Sequence, residues 1–168
     1  MKLLSLLRHA KSDWHDSSLT DFARPLNGRG REAARRMGRE MRTLGLAWDR
    51  ILASPAARVT ETLAGLEESL GSLQVHYDER IYLASTETLL QIVREAGEPH
   101  RSLLLVGHNP GMERLALLLS RGGKLHDEVA ERYPTGALAE IALPIEHWRD
   151  AGDGAGTLER FLRPRDLR

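Results

Sequence analysis

Short apolar runs alternate with longer stretches of three- and four-residue hydrophobic spacing along most of this chain. Residues 2–7 are almost continuously apolar, as in a strand buried on both faces. A polar, loop-like stretch from Asp13 to Asn27 follows. Ala33, Ala34, Met37, Met41 and Leu44 then recur at helical spacing, with Arg and Glu between them, and predict an amphipathic helix from Asn27 to Gly45. A second strand is expected at Arg50–Ala53. Ser54-Pro55 reads as a helix start, with serine as cap and proline at the first helical position, and Val59, Leu63, Leu66 and Leu70 carry its buried stripe to Gly71.

The remainder repeats the theme. A third strand is predicted at Gln74–Tyr77, followed by the irregular segment DERIYLAS. Ser85 or Thr86 caps a third helix whose apolar face is Leu89, Ile92, Val93 and Ala96. Residues 102–106, SLLLV, form a fourth buried strand, and Asn109-Pro110 opens a helix through Leu119 to a stop at Gly122-Gly123. Final strands fall at Ala137–Leu143 and Thr157–Leu162, with Trp148 on a short connection. Strands alternating with helices predict a three-layer α/β/α sandwich around a mostly parallel central sheet. The expected organisation is a single domain over residues 1–168, with no internal repeat or linker.

Composition narrows the function classes. Hydrophobic residues make up 41% and charged residues 29%, the balance of a soluble globular protein. The net charge is zero, which supports neither a nucleic-acid partner nor an anionic membrane surface. No run approaches the roughly 20 apolar residues of a membrane span. The opening MKLLSLL looks like the start of a signal peptide, but Arg8 and His9 cut it short and no small-residue cleavage site follows. With no cysteine, disulfides and thiolate metal sites are impossible, and a cytoplasmic location is expected.

Of 24 basic residues only Lys2, Lys11 and Lys124 are lysines, a bias that genomic composition explains as well as function. The informative arginines are those placed awkwardly. In a parallel sheet ligands bind at the carboxyl ends of strands. Three polar clusters fall there: Arg8-His9 after the first strand, Ser54 to Arg58 after the second, and Gly107-His108-Asn109 after the fourth. Two arginines and two histidines converging on one crevice suit a phosphoryl group, because guanidinium forks match its oxygens. Arg58 lies in the first turn of its helix, where a cation opposes the helix dipole, and this placement argues for a nearby anion.

These segments carry a family resemblance that covers nearly the whole chain. LLRHAKSDW, ARPLNGRGREAA, ILASPAARVTET, LLLVGHNPG, YPTGALAEI and RFLRPRDL, in that order, resemble the phosphoglycerate mutase-like histidine phosphatase superfamily. Within it, RHAKS, VGHNP and PTGA are similar to the SixA type, small phosphohistidine phosphatases of bacteria. The resemblance implies that His9 is the nucleophile and becomes phosphorylated, that Arg8, Arg58 and His108 hold the phosphoryl oxygens, and that no metal or other cofactor is required. Glu79 is the position resembling the superfamily's proton donor, either a general acid or a solvated surface charge. Arg24 either reaches substrate or braces its loop, and Lys11 and Ser12 have no assigned role. His15 stands where mutase relatives carry a phosphate-touching asparagine, which counts against a mutase. His76, His100, His126 and His147 share no spacing and read as surface or packing residues.

The implied activity is removal of phosphate from phosphohistidine in proteins, with a small phosphomonoester as the alternative substrate and a non-catalytic phosphate- or phosphoprotein-binding module as the rival from another class. A monomer is the expected state. The GxGxxA match at Gly28–Ala33 is discarded as a dinucleotide fingerprint, since no apolar strand precedes it.

Overall fold

The structure, a computed structural model, describes residues 1–167. The strands are β1 (Lys2–Arg8), β2 (Arg50–Ala53), β3 (Val75–Tyr77), β4 (Ser102–Gly107), β5 (Leu138–Leu143) and β6 (Thr157–Leu162). The helices are α1 (Gly28–Thr43), α2 (Ala57–Leu70), α3 (Thr86–Arg94), α4 (Gly111–Leu119) and α5 (Lys124–Glu131). One sheet forms in the order β3-β2-β4-β1-β5-β6. The pairings β1–β4, β2–β4 and β2–β3 are parallel, while β1–β5 and β5–β6 are antiparallel.

Alternation along the central strands builds the layers. Leu4, Leu6, Leu103 and Leu105 face one way and pack with Leu89, Ile92 and Val93 of α3, Leu115 of α4 and Val129 of α5. Leu7, Leu104 and Val106 face the other way, against Met37 and Met41 of α1 and Leu63 and Leu66 of α2. Each fully buried leucine contributes about 1.5–3 kcal/mol to this arrangement. The result is the α/β/α sandwich that the pattern predicts, with a mixed sheet.

One expectation changes, and one element is added. Ser54 and Pro55 do not open α2: the helix begins at Ala57, its cap is Ala56, and no side chain caps it. The Ser54 hydroxyl instead accepts from the Ala56 amide at 3.3 Å in the turn before the helix, and serves a second partner described below. The segment after Gly122-Gly123 is not a plain connection, because α5 forms there.

Register positions the site. Arg8 at the end of β1 stands opposite Gly107 of β4, and Ala53 of β2 stands opposite Val106, so three strands end at one level. Because β5 is antiparallel, it begins at that same level, with Leu138 opposite Leu7. This brings the segment before β5 to the carboxyl-end crevice as well.

Candidate active site

A cleft of about 530 Å³ opens at this edge of the sheet. Arg8, His9, Arg24, Arg58 and His108 all line it, so five of the six candidate residues converge. Glu79 does not: it is exposed on the short helical turn Glu79–Ile81 and is not among the residues lining the cleft. Glu79 is therefore not brought to His9, and its position fits the alternative expectation of a solvated surface charge.

The His9 backbone is fixed by strand-end hydrogen bonds. Its amide donates to Gly107 O at 3.1 Å, and its carbonyl accepts from Gly136 N at 2.9 Å. Gly136 makes that approach in a left-handed conformation, φ 79°, which glycine alone adopts without strain. The Ala10 amide donates to Thr62 Oγ1 at 2.9 Å, and the Thr62 hydroxyl donates to Arg58 O at 2.6 Å. Loop and α2 are thus locked together beneath the cleft.

The His9 ring is oriented from one side. Nδ1 lies 2.7 Å from Ala10 O, and since a carbonyl only accepts, Nδ1 carries the proton and Nε2 the lone pair. The ring is buried, with its pKa lowered to about 4. Desolvation is the main cause, opposed by the Ala10 hydrogen bond and reinforced by Arg58, Arg8 and Arg24. At neutral pH His9 is an uncharged imidazole with a nucleophilic nitrogen.

His108 stands beside it, ring centroids 5.2 Å apart and tilted by 54°. Its Nε2 lies 2.8 Å from Ser54 Oγ. Among the described residues His108 Nε2 is the one acceptor recorded for the Ser54 hydroxyl proton, and with that proton directed to Nε2 the His108 proton sits on Nδ1. Nδ1 is buried without a protein partner. Burial, followed by the neighbouring His9 and Arg58, lowers the pKa of His108 to about 3.

The guanidinium groups are held from behind. Arg8 donates to Tyr133 O at 2.9 Å, and its Nε is buried and unpartnered. Arg58, only 3% exposed, donates to Asp21 O at 2.7 Å and to Asp21 Oδ2 at 3.0 Å, and its Nε is also unpartnered. Arg24 braces its loop by donating to Ser12 Oγ and, at 2.7 Å, to Asp21 Oδ1, and it also lines the cleft. Its Cζ lies over the Trp14 ring, 3.5 Å from the centroid. Buried donors without protein partners, among fixed positive charges, are chemically suited to an anion with several oxygen acceptors.

Asp21 lines the cleft and Tyr82 packs behind it, without any motif announcing either. The Tyr82 hydroxyl donates to Asp21 Oδ2, and its ring packs edge-on against His108 with centroids 5.4 Å apart. That hydrogen bond, with those from Arg24 and Arg58, holds the Asp21 carboxyl far below the usual carboxylate range. Ser12 is buried against Arg24 and Lys11 is exposed at the rim. His15 is exposed and pairs with Asp13 away from the cleft lining, and His76, His100, His126 and His147 also lie outside it.

The family model for the histidine phosphatase superfamily, branch 1, matches residues 4–142. This chain belongs to that superfamily. Among proteins of the superfamily's kind, an uncharacterised protein of Mycobacterium tuberculosis is 32% identical over 95% of this chain and all of its own length, and one of Mycobacterium leprae is 30% identical over the same shares. A structure from Agrobacterium tumefaciens, provisionally named phosphohistidine phosphatase SixA, superposes with a TM-score of 0.83 at 29% identity, covering 97% of this chain and 98% of that one. A second provisional SixA, from Nakamurella multipartitia, gives 0.83 at 27% identity over 97% and 96%. A histidine phosphatase SixA complexed with tungstate shares the fold, with a TM-score of 0.80 at 20% identity over 98% of each chain. Superfamily membership and SixA-like structure support phosphatase activity. Among the described residues no helix is long and apolar enough to cross a membrane.

Proposed function

We propose that this histidine phosphatase works through phosphorylated His9 and removes phosphoryl groups from histidine side chains of proteins. The observation that carries the substrate assignment is the acid–base inventory of the cleft. It holds a neutral His9, the guanidinium groups of Arg8, Arg24, Arg58 and Arg132, and Asp21, the one carboxylate among the lining residues, which is kept ionised by Tyr82, Arg24 and Arg58. A carboxylate locked in its charged form has no proton for a departing alkoxide. A phosphohistidine protonated at its other ring nitrogen releases neutral imidazole, a much weaker base than an alkoxide, and needs no such help.

In the proposed reaction His9 Nε2 attacks phosphorus as the P–N bond to the substrate breaks, and the substrate ring, protonated at its other nitrogen, leaves as neutral imidazole. Water then attacks phospho-His9, and inorganic phosphate leaves as Nε2 recovers its lone pair. Arg8, Arg58 and the Nδ1–H of His108 hold the phosphoryl oxygens through both steps, with Arg24 stabilising Arg58 through Asp21. Phosphoryl transfer draws mostly on such positioning and charge stabilisation, and this set supplies both without a metal. The chain acts as one domain, and its lack of cysteine fits a reducing cytoplasm.

The reading is tested with a histidine-phosphorylated protein and an alkyl phosphomonoester, each in EDTA, with wild type and His9→Ala. Phosphate release from the former should exceed that from the latter by at least about a hundredfold and vanish in the variant. Faster turnover of the monoester would overturn the substrate assignment.

A further inference from the structure

A second recess, of about 190 Å³, shares a wall with the cleft: Lys11, Arg132, Pro134 and Thr135 line both. Arg29 and Arg165 line the recess alone, so four cationic side chains surround it, and no carboxylate is among its lining residues. Lys11, Arg29, Arg132 and Arg165 are all exposed. Among the described residues the ion pair recorded for this set is a long one, Arg165 Nε to Asp166 Oδ1 at 3.9 Å. Neutral overall, the chain has nevertheless gathered four cations here, of which Lys11, Arg29 and Arg132 have no ion pair among the described residues.

Two further features point the same way. Arg29 is the second residue of α1, a sixteen-residue helix with no acidic side chain in its first turn. Its charge therefore adds to the positive end of the helix dipole instead of offsetting it. The recess wall is also firmly placed. Gly136 approaches Pro164 so closely that an added Cβ would come within 2.8 Å of the proline ring, which fixes the Arg165 segment against the segment that carries Arg132 and Thr135. Clustered like charges on a braced wall raise the local potential for an anion, whereas scattered surface arginines do not.

We propose that this recess receives acidic side chains of the phosphoprotein substrate, those lying beside the phosphorylated histidine, while the phosphoryl group occupies the cleft. The proposal rests on the phosphohistidine reading above and adds a sequence preference to it. The cleft recognises the group to be transferred, and the recess selects the surface that presents it. Because the recess cations are exposed, each contact contributes modestly, and the preference is salt-sensitive.

The test uses the full chain and three substrates phosphorylated on histidine with phosphoramidate: a peptide with glutamates flanking its histidine, the same peptide with glutamines, and free phosphohistidine. Arg29 and Arg165 lie outside the cleft, so Arg29→Ala/Arg165→Ala should leave turnover of free phosphohistidine unchanged. Wild type should favour the glutamate peptide by about fivefold in kcat/KM, and the double variant should lose most of that preference, as should wild type in 1 M salt. Equal rates on the two peptides, or a preference undiminished in the variant, would overturn the recess proposal. Wild type that turns over neither peptide nor free phosphohistidine would overturn the phosphohistidine reading itself.

Discussion

Ser54 donates its hydroxyl proton to His108 Nε2 across 2.8 Å, and this fixes which ring nitrogen of His108 can donate into the cleft. The hydroxyl sits in the turn between β2 and α2, two residues before the helix cap. Removing it frees the imidazole to adopt the other tautomer, with its proton on Nε2 and no donor at Nδ1. Ser54→Ala should therefore lower kcat/KM by about tenfold, near 1.4 kcal/mol, in the range of a single buried hydrogen bond. Steady-state kinetics against wild type check this; an unchanged kcat/KM would show that His108 needs no orientation.

Glu79→Gln should change turnover of a histidine-phosphorylated protein by less than about twofold, because the side chain is exposed outside the cleft. The same substitution is diagnostic on phosphomonoesters. A loss of a hundredfold or more on both substrates would mean that the Glu79 segment moves into the cleft during turnover and acts as the acid.

Acid stability follows from the two buried histidines. Folded-state pKa values of about 4 for His9 and about 3 for His108 lie below the ordinary 6.5, so the unfolded chain binds more protons between those limits. Stability should rise with pH through that window and be lost as pH falls from about 6.5 toward 3, with a slope of up to about 1.4 kcal/mol per pH unit for each histidine. Urea unfolding of wild type and His9→Gln at pH 7 and pH 4.5 checks this: the variant should lose less stability on acidification. Identical losses would place His9 in water.

Gly30 shows how closely α1 supports the loop that carries the site. An added Cβ would lie 2.0 Å from the Lys11 carbonyl oxygen, the same oxygen that accepts from Asn27 N at 3.0 Å. Gly30→Ala should displace Lys11, two residues after His9, and destabilise the fold by about 1–3 kcal/mol as overpacking does. Thermal unfolding and kcat/KM should fall together. A variant with wild-type melting and activity would contradict the close approach.

Much of this could be read along the chain. Buried strands such as SLLLV and the stripe Met37–Met41 announce themselves by periodicity, and the strand-end clusters Arg8-His9 and Gly107-His108-Asn109 stand out because polar residues there have no packing reason. Gly28–Ala33, discarded as a dinucleotide fingerprint, owes Gly30 to packing under the Lys11 carbonyl. The misses have physical causes. Helix α5 buries Val129 alone among its residues, so KLHDEVAE carries too short an apolar stripe to detect. Strand β5 is almost wholly buried and reads like its parallel neighbours, although it runs antiparallel. Asp21 and Tyr82 lie in irregular segments, and their contacts to Arg58 and to each other span 37 and 61 residues, so no local pattern reports them. Ser54 was visible as a capping residue, but its partner across 54 residues, His108, was not.

The covalent role of His9 is the centre of the account, and chemical trapping tests it most directly. Wild type mixed with a labelled phosphorylated substrate and quenched within the first turnover should retain phosphate that is stable in alkali and released by acid, as phosphohistidine is. The label should map to His9 and be absent in His9→Ala, while Glu79→Gln should trap it as wild type does. Turnover by wild type with no alkali-stable phosphate on the protein, or label that persists in His9→Ala, would contradict the mechanism.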